Sequence, residues 1–180
     1  AFNRSNFQQE IFELYHDLIT FGTAAMFVEE DEQDLLKFST RHIDEVYVAE
    51  NQKGRIDTIF RRFHMTARAL VQKFGSNVSR DVEVMAKRNP YEEIDIIHAV
   101  YPRNEFNPKK QDKKNMPFES IYFEYKGGNE LSVSGFKEFP FVVPRYLKAS
   151  HEVYGRSPAM TALPDVKMLN EMCKVTIKAA

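Results

Sequence analysis

Between positions 3 and 21 apolar residues recur every three or four places. Phe7, Ile11, Leu14, Tyr15 and Leu18 share one face of a predicted amphipathic helix. Ser5 or Asn3 is the expected cap at its start, and Gly22-Thr23 ends it. The period then shortens to that of strands. Residues 24–28 read as a short buried strand and 35–40 as a second, joined by the acidic tip Glu29-Glu30-Asp31-Glu32-Gln33-Asp34. Residues 43–50 partly alternate, Asn51 to Gly54 offers a turn, and 55–63 returns, which predicts a β-hairpin.

Thr66 is placed to cap a helix over 67–74 that Gly75 terminates. Ser79 starts another that Asn89-Pro90 halts after Arg88. Residues 94–100 form a nearly continuous apolar strand that includes Asp95 and His98. Two facing strands are expected at 118–125 and 130–136 around Lys126-Gly127-Gly128-Asn129. A last one at 139–147 carries Pro140 and Pro144, which suit an edge or an irregular segment. The stretch 102–117 has no apolar period and a net charge of +3, and it is expected to be a mobile surface loop. No internal repeat is present.

From His151 onward a Tyr154-Gly155 turn leads through Ser157-Pro158 into a final helix running to Ala180. Its inner stripe reads Ala162, Val166, Leu169, Cys173, Ile177 and Ala180. Met168, Met172 and Val175 widen that stripe, while Lys167, Glu171, Lys174 and Lys178 line the opposite face. No Gly, Asn or Pro caps the end, so the chain is expected to be a fragment of a longer protein. The predicted class is α+β: an antiparallel or mixed sheet with flanking helices, ending in a long C-terminal helix.

Composition narrows this without naming a function. With 180 residues, 43% of them apolar, the chain can bury one substantial core. Lys plus Arg number 25 against 26 Asp plus Glu, so overall charge directs the chain to neither nucleic acid nor membrane. The single cysteine, Cys173, excludes an intrachain disulfide and fits a reducing compartment. There is no 18-residue apolar run and no leader pattern, which predicts a soluble protein. Fifteen Phe and eight Tyr without any Trp fit packing across strands.

The chemistry of catalysis has little to stand on. The histidines at 16, 42, 64, 98 and 151 fall in five different elements, none with the spacing of a zinc site. The acidic tip lacks the glycine and closing glutamate of a calcium loop. No nucleophile elbow, phosphate loop or dinucleotide fingerprint occurs. Ser157 reads as a helix cap and Cys173 as a small apolar group. No catalytic, metal or cofactor residue is expected, and no cofactor. The helices at 67–74 and 79–88 connect like a DNA-reading unit, but Asp81 and Glu83 beside Arg80 would meet phosphates.

Five blocks carry a resemblance: YHDLITFGTAAMFVEED (15–31), HIDEVYVAENQKGRIDTIFRRFHMTARALVQKFG (42–75), NPYEEIDIIHAVYPR (89–103), GFKEFPFVVPRYLKAS (135–150) and EVYGRSPAMTALPDVKMLNEMCK (152–174). Occurring in this order, they resemble the head-to-tail connector, or portal, proteins of short-tailed bacteriophages. The resemblance implies a structural subunit of a ring, usually of twelve copies, at one capsid vertex of the virion. Genomic double-stranded DNA enters and leaves through its channel without being read in sequence. It implies residues 1–150 as a wing domain and 151–180 as a turn and the start of a stem helix. Expected partners are further copies of the chain, the terminase motor, scaffold and capsid proteins and the tail, with no membrane. Synthesis in the bacterial host cytoplasm follows.

On this reading Val166, Met168, Leu169, Met172, Cys173 and Ile177 are expected at subunit contacts. Arg61, Arg62, Lys109, Lys110, Lys113 and Lys114 are the candidate phosphate contacts. Two other readings compete. One is a nucleic-acid-binding module using the lysine-rich loop at 103–114. The other is a metal-independent hydrolase assembled from scattered Asp, Glu and His.

Overall fold

The helix-to-strand change of period at Gly22 begins a β-hairpin, and this hairpin with the first helix seeds one of two compact units. A computed structural model of the chain describes residues 5–31, 35–107, 110 and 112–179. Asn3 as a cap, the tip residues Glu32, Gln33 and Asp34, Lys109 and Ala180 lie outside the described residues. The fold is α+β, with two antiparallel sheets and a long C-terminal helix.

The first unit holds the residues through Ile43 and those from Phe141 onward. Helix α1 spans Phe7–Phe21, and strands β1 (Ala25–Asp31) and β2 (Leu35–Arg41) form the hairpin. The pairing runs from Ala25 opposite Arg41 to Asp31 opposite Leu35. Leu14, Ala24, Met26 and Phe38 make the core, with Phe7, Ile11, Leu18, Val28 and Leu36 packed against it. Burial of these side chains holds α1 on the sheet.

Polar groups set where α1 begins. The Asn6 amide donates to the Phe38 carbonyl (2.8 Å) and accepts from the Phe38 N–H (3.0 Å), so it copies a strand partner at the edge of β2. Asn6 therefore stands at the cap without capping through its side chain, and the Phe7 N–H instead reaches Ser5 Oγ at 3.4 Å. Tyr15 is a correction to the expected helix face. It is 53% exposed, because Leu14 and Leu18 fill the strip that meets the sheet. The strand foreseen over 139–147 shrinks to β8, Phe141–Val142, paired with Met26 and Phe27. Pro140 and Pro144 lack the N–H groups that a longer ladder needs.

The second unit, Asp44–Pro140, is a five-stranded meander in the order β3-β4-β5-β6-β7. Its strands are β3 (Val46–Glu50), β4 (Ile56–Thr66), β5 (Glu93–Pro102), β6 (Phe118–Glu124) and β7 (Glu130–Phe136). Residues Ile43–Glu45 form a 3-10 turn rather than the start of β3. Between β4 and β5 lie α2 (Ala67–Phe74) and α3 (Arg80–Arg88). Thr66 Oγ1 accepts from the Ala69 N–H and Ser79 Oγ from the Val82 N–H, the two caps expected from sequence.

Phe63, Leu70, Val78, Val82, Ile96 and Leu131 form this unit's core between helices and sheet. Glu124 is buried at the end of β6, where it accepts from the Ser79 N–H (2.8 Å) and hydroxyl (2.7 Å). A carboxylate at the start of α3 also meets the positive end of the helix dipole. His98 is a core histidine: Nε2 lies 2.9 Å from Ser120 Oγ and the ring stacks on Tyr122 at 4.0 Å. In the stretch 102–117, Lys113–Asn115 form a 3-10 turn beside β7, and the Arg103 N–H donates to the Pro117 carbonyl at 2.8 Å.

Candidate functional site

The small-residue run Gly22-Thr23-Ala24-Ala25 and the turn Tyr154-Gly155-Arg156-Ser157 come together in the first unit at the root of α4, Pro158–Ala179. Gly22 ends α1 in the left-handed conformation (φ +79°). A β-carbon there would strike the backbone of Gly155, Arg156 and Ser157, and one on Gly155 would strike the Gly22 carbonyl. Two backbones thus touch where side chains would hold them apart.

Hydrogen bonds close the junction. Thr23, buried, accepts the Gly155 N–H through Oγ1 at 2.7 Å. The Tyr146 N–H donates to the Gly22 carbonyl (2.9 Å), and the Arg156 N–H to the Leu147 carbonyl (2.7 Å). Ser157 works in two directions. Its hydroxyl donates to the Thr20 carbonyl at the end of α1 (2.8 Å) and accepts the Met160 N–H as the cap of α4 (2.9 Å). The Arg145 guanidinium donates to the Val153 carbonyl at 3.1 Å, and Arg156 pairs with Glu152 in the same turn. That pair holds the Glu152 carboxyl below its usual range.

From this root α4 runs for 22 residues, and none of them is buried. The stripe expected to face inward is uncovered, with Val166 48%, Leu169 56% and Ile177 77% exposed. Cys173 is exposed too, as are Met168, Met172 and Val175. The structure therefore corrects the inner stripe: among the described residues of its own unit, nothing buries it. The reason lies at the root, because Ser157 ties the start of α4 to the end of α1, and the described residues of the same unit leave the rest of the helix exposed. Pro164 stands inside the helix and supplies no N–H for the Met160 carbonyl one turn back.

The candidate cations are dispersed by the sheet. Arg61 and Arg62 are neighbours on β4, so their side chains leave opposite faces. The Arg61 guanidinium donates to Glu45 at 2.7 Å and lies over the Phe63 ring. Arg62 donates to Asp95 at 2.7 Å and lies over Tyr125. Lys113 and Lys114 share the 3-10 turn beside β7, Lys110 precedes it, and Lys109 lies outside the described residues. Among the described residues no group of three or more His, Cys, Asp or Glu is arranged to hold a metal ion.

Asp95 has a pH consequence. The Arg62 hydrogen bond holds its carboxyl below the usual range, and His64 Nδ1 stands 2.6 Å from its other oxygen. A carboxylate with a lowered native pKa contributes stability above its unfolded value, and loses it as pH falls through the native one. The urea midpoint is therefore expected to drop below about pH 5. Asp95→Asn should flatten part of that slope. An identical acid profile in the variant would show that this pair contributes nothing.

Sequence reasoning named Gly155 and Ser157 as parts of a turn and a helix entry, and missed their counterpart. The contact of Gly22 with Gly155 and the Thr23 hydrogen bond join positions more than 130 residues apart. The only local trace was a Gly followed by three small residues after α1.

Comparison with known proteins bears on this arrangement. The family described as bacteriophage head to tail connecting protein matches residues 1–180. The portal protein of Salmonella phage epsilon15 is 41% identical over 174 residues, which cover 94% of this chain and 31% of that protein. The probable portal protein of Bordetella phage BPP-1 is 34% identical over 173 residues, covering 93% of this chain and 31% of that protein. The chain thus spans about a third of the length of these curated relatives. Since the match runs from one end to the other, through both sheets and α4, the chain belongs to the bacteriophage head to tail connecting protein family.

Proposed function

We propose that this chain is part of a structural portal subunit of a tailed bacteriophage. Copies of the subunit form a ring at a capsid vertex, through which genomic DNA is packaged and ejected and to which the tail attaches. Membership of the connector family supports the reading, as do the two related proteins called portal and probable portal protein. The observation that carries it on the molecule itself is α4. A helix rooted by two opposed glycines and a doubly bonded serine carries apolar groups along its length that the described residues leave exposed. Contiguous exposed apolar surface of this kind marks an interaction site.

In this proposal residues 1–150 form the wing, and 151–180 form the turn and start of the stem helix. Val166, Met168, Leu169, Met172, Cys173 and Ile177 meet neighbouring subunits. The subunit performs no catalysis, since the packaging motor is a separate terminase, and scaffold, capsid and tail proteins are its other partners. It is made in the host cytoplasm and resides in the virion. Phosphates are touched without sequence reading, by Lys109, Lys110, Lys113 and Lys114. Arg61 and Arg62 would join them only by releasing Glu45 and Asp95.

Electron microscopy and sedimentation of the full-length protein test this. Closed rings with a central channel are the expected result, together with weak, strongly salt-dependent binding to unrelated duplexes. A protein that stays monomeric at micromolar concentration, or binds one duplex selectively at physiological salt, would overturn it.

A further inference from the structure

Strand β2 is an edge of its sheet, and side chains from α1 occupy its outward backbone groups. The opposite edge, β8, is two residues long and lies between Pro140 and Pro144, so β2 is the edge of this sheet long enough to template another strand. In an antiparallel ladder the N–H and C=O of one residue point to the same side, and that side alternates along the strand. Phe38 turns both groups away from β1. The Asn6 side chain takes both, donating to the carbonyl at 2.8 Å and accepting from the N–H at 3.0 Å. Thr40, two residues on, faces the same way, and its N–H donates to the Glu10 carboxylate. The Thr40 hydroxyl donates to the Glu10 carbonyl at 2.9 Å, and the Asn6 amide donates to Glu10 Oε1 at 3.3 Å.

Spacing makes this fit. Four residues of helix rise roughly 6 Å, and two residues of strand advance roughly 7 Å. Asn6 and Glu10 stand four apart, so they present an amide and a carboxylate at the interval of successive outward rungs. Burial of Phe7, Ile11, Leu14 and Leu18 already holds α1 on the sheet. The Asn6 side chain makes no cap hydrogen bond to the helix. The two polar side chains therefore serve the strand edge, and neither is needed for the packing of α1.

We propose that Asn6 and Glu10 act as a surrogate strand that closes the β2 edge, and that β2 of a second copy adds to this edge when the two side chains are removed. The occupant follows from the geometry. A freed edge offers only backbone donors and acceptors, and in the pure protein the same change opens the same edge on every copy. Two β2 edges then pair antiparallel about a two-fold axis, each supplying the groups the other lacks. The device keeps copies from joining through their sheets and leaves association to other surfaces. It goes beyond the portal reading and does not depend on it.

Hydrogen exchange and solubility of the full-length protein test it. The double variant Asn6→Ala/Glu10→Leu removes both rungs and keeps good helix formers at both places. At low concentration the Phe38 and Thr40 amides should exchange roughly tenfold faster than in the parent. At high concentration the soluble fraction should fall roughly fivefold on incubation, as open edges pair. Adding Thr40→Pro removes the outward N–H without touching the ladder to β1, and should return the soluble fraction to within about twofold of the parent. Glu10→Gln alone should behave as the parent, since its amide oxygen still accepts from Thr40.

Three results would overturn the proposal. The first is unchanged exchange of Phe38 and Thr40 in the double variant. The second is fast exchange with the solubility of the parent. The third is loss of solubility that Thr40→Pro does not relieve, which would mark general unfolding. If Thr40→Pro alone lowers the thermal midpoint of the parent, Thr40→Lys takes its place with the same expected rescue, because it leaves the backbone intact and sets a charge on the edge.

Discussion

Replacing Gly22 by alanine is expected to be among the most damaging small changes in the molecule. Two costs add. A side chain in the left-handed conformation costs roughly 1–2 kcal/mol, and Gly22 has φ +79°. Displacing packed backbone to make room for a methyl group costs about 1–3 kcal/mol more. The new β-carbon would meet carbonyl and amide atoms of residues 155–157, which have no flexible end to move aside. At about 2–4 °C per kcal/mol for a chain of this size, the thermal midpoint should fall by roughly 5–15 °C. Gly128→Ala is the control. Its backbone is also left-handed (φ +66°), but nothing lies within 4 Å of the added carbon. It should show the conformational cost alone. Equal melting of the two variants would mean that the Gly22–Gly155 contact is not what roots α4.

Leu169→Asp is expected to separate assembly from folding. Leu169 is exposed in the single chain, so its replacement removes little buried area, and the change in helix propensity is worth only about 0.5 kcal/mol. At a subunit contact the same substitution buries an unpaired carboxylate, which costs on the order of 3–5 kcal/mol in each interface. Repeated at every contact around a ring, that cost should abolish rings under conditions where the parent assembles fully. The thermal midpoint of the unassembled chain should meanwhile stay within a few degrees of the parent. Sedimentation and a thermal melt measure the two effects side by side. Normal rings from the variant would remove this face of α4 from the assembly. A large loss of melting temperature in the unassembled chain would show instead that Leu169 packs within its own chain.

How far each feature could be read from sequence depended on the range of the interaction that makes it. The caps at Thr66 and Ser79 were legible, because a side-chain oxygen and an N–H three residues on settle them. The turns at 51–54 and 126–129 and the pairing of β6 with β7 were legible for the same reason. Tyr15 was misplaced because an apolar residue beside an apolar stripe fits the helical period whether or not the sheet reaches it. Arg61 and Arg62 read as a cationic pair, whereas strand geometry sends them to opposite faces and long-range carboxylates claim each of them. Glu124 gave no sign of burial, because its partners at Ser79 and Asn129 come together only when α3 docks on the sheet.

The candidate site divides along the same line. The amino-acid sequence by itself determined the α+β class, the positions of most helices and strands, and the apolar character of the last helix, because periodicity and capping act over a few residues. It also carried the family resemblance, which is a property of residue order. The tertiary structure alone decided that Gly22 and Gly155 touch, that Ser157 joins α1 to α4, and that the apolar residues of α4 stay exposed among the described residues. Those facts depend on segments 130 residues apart arriving at one place. An apolar stripe looks the same in sequence whether it packs against its own core or remains open to a second copy; only the fold shows which surfaces the chain has already used.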